Sequence, residues 1–268
     1  MLMPSPSDLA ARLLGPVEAA AREGGALALR AFRPSAKTSA RVWNKAGNSP
    51  VTEADLAVDA LLKERLGAAL PEAAWLSEET ADNPVRLGQR LLWIVDPIDG
   101  TRAFLTGHPD WSVSIGLLAD GHPVLGIIYG PALGVLYQAS LGGGAFRNGE
   151  PIRGPDRTGL SGSRAAGPKP LMDALERRAG PIVRLPKVPS LALRLARVAE
   201  GSIDVGLVSA NSHDWDLAGG DVILREAGSR LSDLGGEPVR YNQAEPIHGE
   251  LLATSERLHP DVVSNIRP

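Results

Sequence analysis

An α+β half followed by an α/β half is the fold class this sequence predicts, and three observations predict it. Short apolar runs bounded by turn residues follow one another at hairpin spacing across residues 111–146, the pattern of a meandering antiparallel sheet. Beyond residue 170, helix-like and strand-like segments alternate, as α/β units do. Between them, residues 150–170 are rich in Gly, Ser, Arg and Pro, the composition of a boundary. The predicted halves are therefore residues 1–150 and 151–268. A chain of 268 residues with 43% hydrophobic content can bury a substantial core in both.

In chain order, the Ala/Leu-rich residues 7–32 read as a helix capped by Ser7, with Pro16 predicting a kink or a break. Residues 35–49 are polar, contain Gly47 and read as a loop or irregular ribbon. A second helix is predicted over 53–70, with Pro71 closing it and the Thr52/Asp55 spacing of a capping box opening it. Residues 75–77 and 91–95 read as short strands, each followed at once by acids, Glu78-Glu79 and Asp96. Strands over 112–118, 123–129 and 135–140 are separated by Asp120-Gly121 and by the turn residues of 131–134. The second half carries predicted helices at 171–178, 190–200 and 216–227 and predicted strands at 181–185 and 203–209.

Composition removes several functions. The net charge is −3 with Lys and Arg scattered, so no basic footprint for a nucleic-acid polymer exists. The absence of cysteine excludes disulfides, thiolate zinc sites, iron–sulfur clusters and a cysteine nucleophile. No basic segment followed by an apolar run opens the chain and no uncharged 18-residue stretch occurs, so a soluble, cytoplasmic protein without membrane association is expected. His108, His122, His213, His248 and His259 show no metal-ligand spacing.

The chemistry concentrates in carboxylates. Asp96-Pro97-Ile98-Asp99-Gly100-Thr101 stands where an apolar strand ends and a helix could begin; Pro97 stiffens the turn and Gly100 permits close backbone approach. Two carboxylates three residues apart can there face one hard cation or bridge two, and oxygen ligands suit Mg²⁺. The amides after Asp99 could hold a phosphate at a helix N-terminus. Taken singly, Asp96 and Asp99 would cap a helix, Glu78 would be an exposed loop acid, and Asp216 would be an N-cap. Together they change the reading, because acids gathered at strand ends and helix starts repel one another and any phosphate unless cations lie between them.

Val51 to Asp55, Glu78-Glu79, Asp96 to Thr101 and Trp215 to Ala218, in that order, resemble the signature segments of the inositol monophosphatase superfamily, the lithium-sensitive, magnesium-dependent phosphatases. The resemblance spans nearly the whole chain. It implies a layered αβαβα sandwich with the site in the cleft between the halves. It implies two or three Mg²⁺ ions, with Glu78, Asp96 and the Ile98 carbonyl at one, Asp96, Asp99 and Asp216 at a second, and Asp96 bridging them. The implied catalytic residues are Asp55, Thr101 and Glu78, Thr101 partnering Asp55 to orient a metal-activated water. The implied substrate contacts are Gly100, Thr101, Arg102 and Asp216, and the implied partner is a small phosphorylated metabolite. Homodimers are common in the superfamily, and a homodimer is compatible with this chain.

Substrate choice lies outside these segments. Inositol enzymes place an acid seven positions before the Trp-Asp aspartate, where this chain has Ser209. Arg102-Ala103-Phe104 and Tyr241-Asn242 are similar to the 3′(2′),5′-bisphosphate nucleotidase branch, although Arg102 reads equally well as a surface residue. The resemblance thus places bisphosphate nucleotidase first, inositol-1-monophosphatase second and histidinol-phosphate phosphatase third, with fructose-1,6-bisphosphatase as a conceivable side activity. A haloacid-dehalogenase phosphatase is excluded because Pro97 stands where its nucleophilic Asp belongs; EF-hand spacing and a P-loop are also absent. A non-catalytic metal- or metabolite-binding protein is the alternative from another class. The retention of Asp55, Thr101 and every metal ligand argues against it.

Overall fold

The computed structural model describes residues 4–45 and 49–266, so Gly47 of the expected ribbon lies outside the described residues. Helix α1 (Pro6–Leu29) is capped by Ser5 instead of Ser7: the Ser5 hydroxyl accepts the Asp8 N–H, and Pro6 occupies a first-turn position that needs no donor. The expected break at Pro16 does not occur. Pro16 and Arg12, whose carbonyl loses its helical donor, are both exposed, so water can take that bond. Leu9, Leu13, Val17, Ala20 and Ala21 form an uninterrupted buried stripe on the opposite side.

A ribbon of β1 (Val42–Asn44) and β2 (Pro50–Thr52) leads into α2 (Glu53–Ala69), β3 (Ala74–Ser77) and β4 (Leu91–Asp99). Then come α3 (Thr101–Thr106), β5 (Ser112–Ala119), β6 (His122–Gly130), β7 (Val135–Ser140), β8 (Gly144–Arg147) and β9 (Glu150–Pro151). The remainder is β10 (Arg164–Ala166), α4 (Lys169–Ala179), β11 (Val183–Arg184), α5 (Leu191–Ala199), β12 (Val205–Val208), β13 (Ser212–His213), α6 (Asp214–Glu226), β14 (Ser229–Asp233), β15 (Ile247–His248), β16 (Leu251–Ser255) and α7 (His259–Ile266).

Strands β3 to β9 form a seven-stranded sheet in sequence order, antiparallel except for the β3/β4 pair. A five-stranded sheet has the order β11-β10-β12-β16-β14, with the first three parallel and the last two antiparallel to their neighbours. Side-chain alternation assigns the layers. On β4, Leu91, Trp93 and Val95 share a core with Leu13 of α1 and Leu62 of α2, whereas Leu92 and Ile94 share one with Leu193 of α5 and Val222 of α6. Val208 and Ala253 of the smaller sheet face that same central helix layer, while Val205, Leu207 and Leu252 pack with Leu175 of α4 and Val262 of α7. The result is the expected αβαβα sandwich. Several elements lay outside the sequence reading, among them β8, β9, β10, β13, β14, β15, β16 and α7. At the site two elements reach further than expected: β4 runs through Asp99, and α6 begins at Asp214 instead of Asp216.

Candidate active site

The end of β4 is irregular in a way that aims carboxylates. Asp96 lies opposite Ser114 and Asp99 opposite Ser112, so three steps on β4 match two on β5. Residues an odd number apart on a regular strand face opposite sides; a bulge at Pro97-Ile98 brings both carboxylates to one side. Asp96 Oδ1 accepts the Ile98 N–H at 3.0 Å. Asp99 is held from the other half of the chain, accepting the Ser190 hydroxyl, the Leu191 N–H at 3.2 Å and the Ala192 N–H at 2.7 Å. It thereby satisfies two amides at the start of α5 that have no helical acceptor.

Asp216 arrives on the first turn of α6, which lies directly on the seven-stranded sheet. A Cβ at Gly126 would stand 2.1 Å from the Gly219 carbonyl oxygen, so only glycine there permits this approach. Ser114 Oγ donates to the Trp215 carbonyl at 3.2 Å, and Asp216 Oδ2 accepts the His213 N–H at 2.7 Å. One oxygen each from Asp96, Asp99 and Asp216 consequently lies within 4.8 Å of the others.

Like charges at that separation perturb one another. Burial, then Glu78, Asp99 and Asp216, push the Asp96 carboxyl well above the usual carboxylate range. Burial and then Asp99 do the same to Asp216. Burial raises Asp99 to about 6 against its hydrogen bonds, and raises Asp55 to about 6 and Glu79 to about 7. A hard cation among these oxygens would relieve both costs, and the all-oxygen donor set fits Mg²⁺.

Lys45, which the sequence reading missed, already supplies one positive charge. Its ammonium donates to Glu78 Oε1 at 3.0 Å and Glu79 Oε1 at 2.7 Å, and Glu78 is not part of the three-aspartate group. Asp55 is buried; its Oδ2 accepts both the Thr52 N–H at 2.8 Å and the Thr52 hydroxyl at 2.5 Å, completing the predicted capping box. Thr101 Oγ1 donates to the Ile98 carbonyl at 3.2 Å, and no bond joins it to Asp55. Gly100, at φ +90°, backs onto Ser190, whose backbone would lie 3.3 Å from a Cβ. Arg102 is exposed, and among the described residues its guanidinium has no hydrogen bond or ion pair. Ser209 is exposed. Tyr241 is buried, and Asn242 bonds Arg86 and Asp214, so this dipeptide serves the packing of the C-terminal loop.

Comparison with known proteins gives a consistent picture. Residues 11–267 match the inositol monophosphatase family model. The chain is 32% identical to the 3′(2′),5′-bisphosphate nucleotidase CysQ of Aggregatibacter actinomycetemcomitans, over 77% of this chain and 80% of the relative. It is 34% identical to the histidinol-phosphatase of Mycobacterium tuberculosis, over 84% and 88%. The crystal structure of the extragenic suppressor protein suhB from Bartonella henselae superposes with a TM-score of 0.83 at 27% identity, covering 94% of this chain and 97% of the other.

Proposed function

This chain belongs to the inositol monophosphatase family and is a phosphoric monoester hydrolase, and on that premise we propose that it is Mg²⁺-dependent and prefers a nucleoside 3′(2′),5′-bisphosphate. The observation that carries the metal reading is the convergence of Asp96, Asp99 and Asp216 within 4.8 Å. In this reading those three, with Glu78 and the Ile98 carbonyl, hold two or three ions in a cleft between residues 1–150 and 151–268. Bound Mg²⁺ supplies positive charge that neutralises phosphoryl oxygens and acidifies water. Asp55 and Thr101 would orient that water: both Thr52 bonds use Oδ2 of Asp55, so Oδ1 could accept from Thr101 once its hydroxyl turns from the Ile98 carbonyl, to which it donates in this structure. Gly100 and Thr101 present first-turn amides to the ester phosphate.

Arg102 supports the nucleotide preference, since its exposed guanidinium, one residue after Thr101 and unpaired among the described residues, can pair with a second phosphate. Ser209 supports it too, because no acid stands there to bind the hydroxyls of a polyol. Histidinol phosphate is the second reading, favoured by the Mycobacterium tuberculosis relative. The absence of cysteine is compatible with a cytoplasmic site of action, and no helix among the described residues is long and apolar enough to cross a membrane.

Phosphate release with Mg²⁺ from adenosine 3′,5′-bisphosphate, inositol 1-phosphate, histidinol phosphate and fructose 1,6-bisphosphate, each repeated with EDTA, tests the proposal. The bisphosphate should turn over fastest and EDTA should abolish release. Preference for another ester overturns the substrate assignment alone; EDTA-resistant release overturns the metal assignment.

A further inference from the structure

We infer that Asp59 is a positioning residue for the metal site, fixing the Glu78-Glu79 segment from both ends and so setting the affinity for the cation. The inference rests on the metal reading above. Asp59 lies one helical turn beyond Asp55 on α2, so both carboxylates leave the helix on the same face. The capping box of Thr52 and Asp55 anchors the start of that helix. Asp59 is only 7% exposed and, among the described residues, has no Lys or Arg partner. Its bonds go instead to the two hydroxyls that bracket the glutamates: Oδ1 accepts from Ser77, and Oδ2 accepts from Thr80 at 2.6 Å.

Because a carboxylate only accepts, both hydroxyls must donate to it, and each is then free to accept from elsewhere. Ser77 Oγ accepts the Glu79 N–H at 3.3 Å, and Thr80 Oγ1 accepts the Trp75 indole N–H at 3.2 Å. Glu78 is tied across the sheet through its N–H to the Val95 carbonyl at 3.3 Å, next to Asp96. One carboxylate thus organises a segment whose two glutamates share Lys45 and whose backbone is registered beside the aspartate proposed to bridge the ions. A buried acid with only hydroxyl partners is a costly way to secure a turn. Holding two glutamates at a fixed distance from Asp96 gives that cost a purpose.

The test is calorimetric titration of metal-free, full-length protein with Mn²⁺, alongside melting curves and the Mg²⁺ dependence of hydrolysis. Asp59→Ala should weaken Mn²⁺ binding about tenfold or more, as loss of a ligand-orienting partner does. Half-saturating Mg²⁺ should rise in parallel, with the ester KM at saturating Mg²⁺ little changed. Asp59→Asn, which keeps one acceptor and offers a donor, should recover part of the affinity. Thr80→Val should weaken binding in the same direction by less, and it decides the question if Asp59→Ala does not fold. A folded variant with wild-type Mn²⁺ affinity overturns the positioning role while leaving the metal reading intact. No Mn²⁺ binding by the wild-type chain overturns both.

Discussion

Asp96, in the proposed reading, would serve a reaction at a cost to the fold. It is 2% exposed, and its charge is opposed by burial and by Glu78, Asp99 and Asp216. Asp96→Asn keeps the shape and removes the charge. Turnover at saturating Mg²⁺ should fall at least about a hundredfold, or about 2.7 kcal/mol of barrier, in steady-state assays. The metal-free variant should melt higher than the metal-free parent, because the repulsion is gone. Near-normal turnover would remove Asp96 from the site. At this scale the aspartates were legible because Asp-Pro-Ile-Asp-Gly-Thr and Trp-Asp stand as recognisable segments. Lys45 and Ser190 were not: a lone lysine in a polar ribbon and a serine before an apolar helix acquire meaning only once the chain brings them to Glu78 and Asp99.

Elements place those side chains through close backbone contact, and two glycines separate that effect from glycine's cost to stability. Gly126→Ala would drive a Cβ into the Gly219 carbonyl 2.1 Å away, pushing α6 and Asp216 off the sheet. A stability loss of about 1–3 kcal/mol is expected, with a larger fall in activity than in folded fraction. Gly67, within α2, has nothing within 4 Å of the same added atom. Gly67→Ala should therefore stabilise by about 0.5–1 kcal/mol and leave turnover unchanged, so denaturant melts of the two variants should move in opposite directions. Strands β3 to β7 of the larger sheet were legible from apolar runs between turns, whereas the short β8 and β9 were not. β14 and β16 were not, because Ser229–Asp233 is largely polar and Leu251–Ser255 is a short run buried on both faces without periodicity. Pro16 misled for the opposite reason: a local breaker was overridden by a long buried stripe with the freed carbonyl turned to water.

The gathered acids burden the whole molecule, and the proposed cation would relieve it, since Asp96 and Asp99 belong to the seven-stranded sheet and Asp216 to the helix layer between the sheets. Without a cation, burial pushes Asp55 and Asp99 up to about 6 and Glu79 up to about 7, above ordinary carboxylates. Between about pH 4 and pH 7 the native state therefore binds more protons than the unfolded chain, so stability is highest at the acid end and falls as pH rises. Asp55 alone contributes on the order of 2 to 3 kcal/mol to that slope. Mg²⁺ bound as proposed would favour the ionised carboxylates and release their protons. At a hundred times its pH 7 Kd it should add about 2.7 kcal/mol at pH 7, and the same concentration should add less at pH 5, where protons compete for the carboxylates. Melting curves from pH 5 to pH 8, with EDTA and with Mg²⁺, measure both effects. The EDTA series should slope downward with rising pH and the Mg²⁺ series should flatten or reverse it; parallel series would mean that the aspartates which join the layers are not where the cation binds.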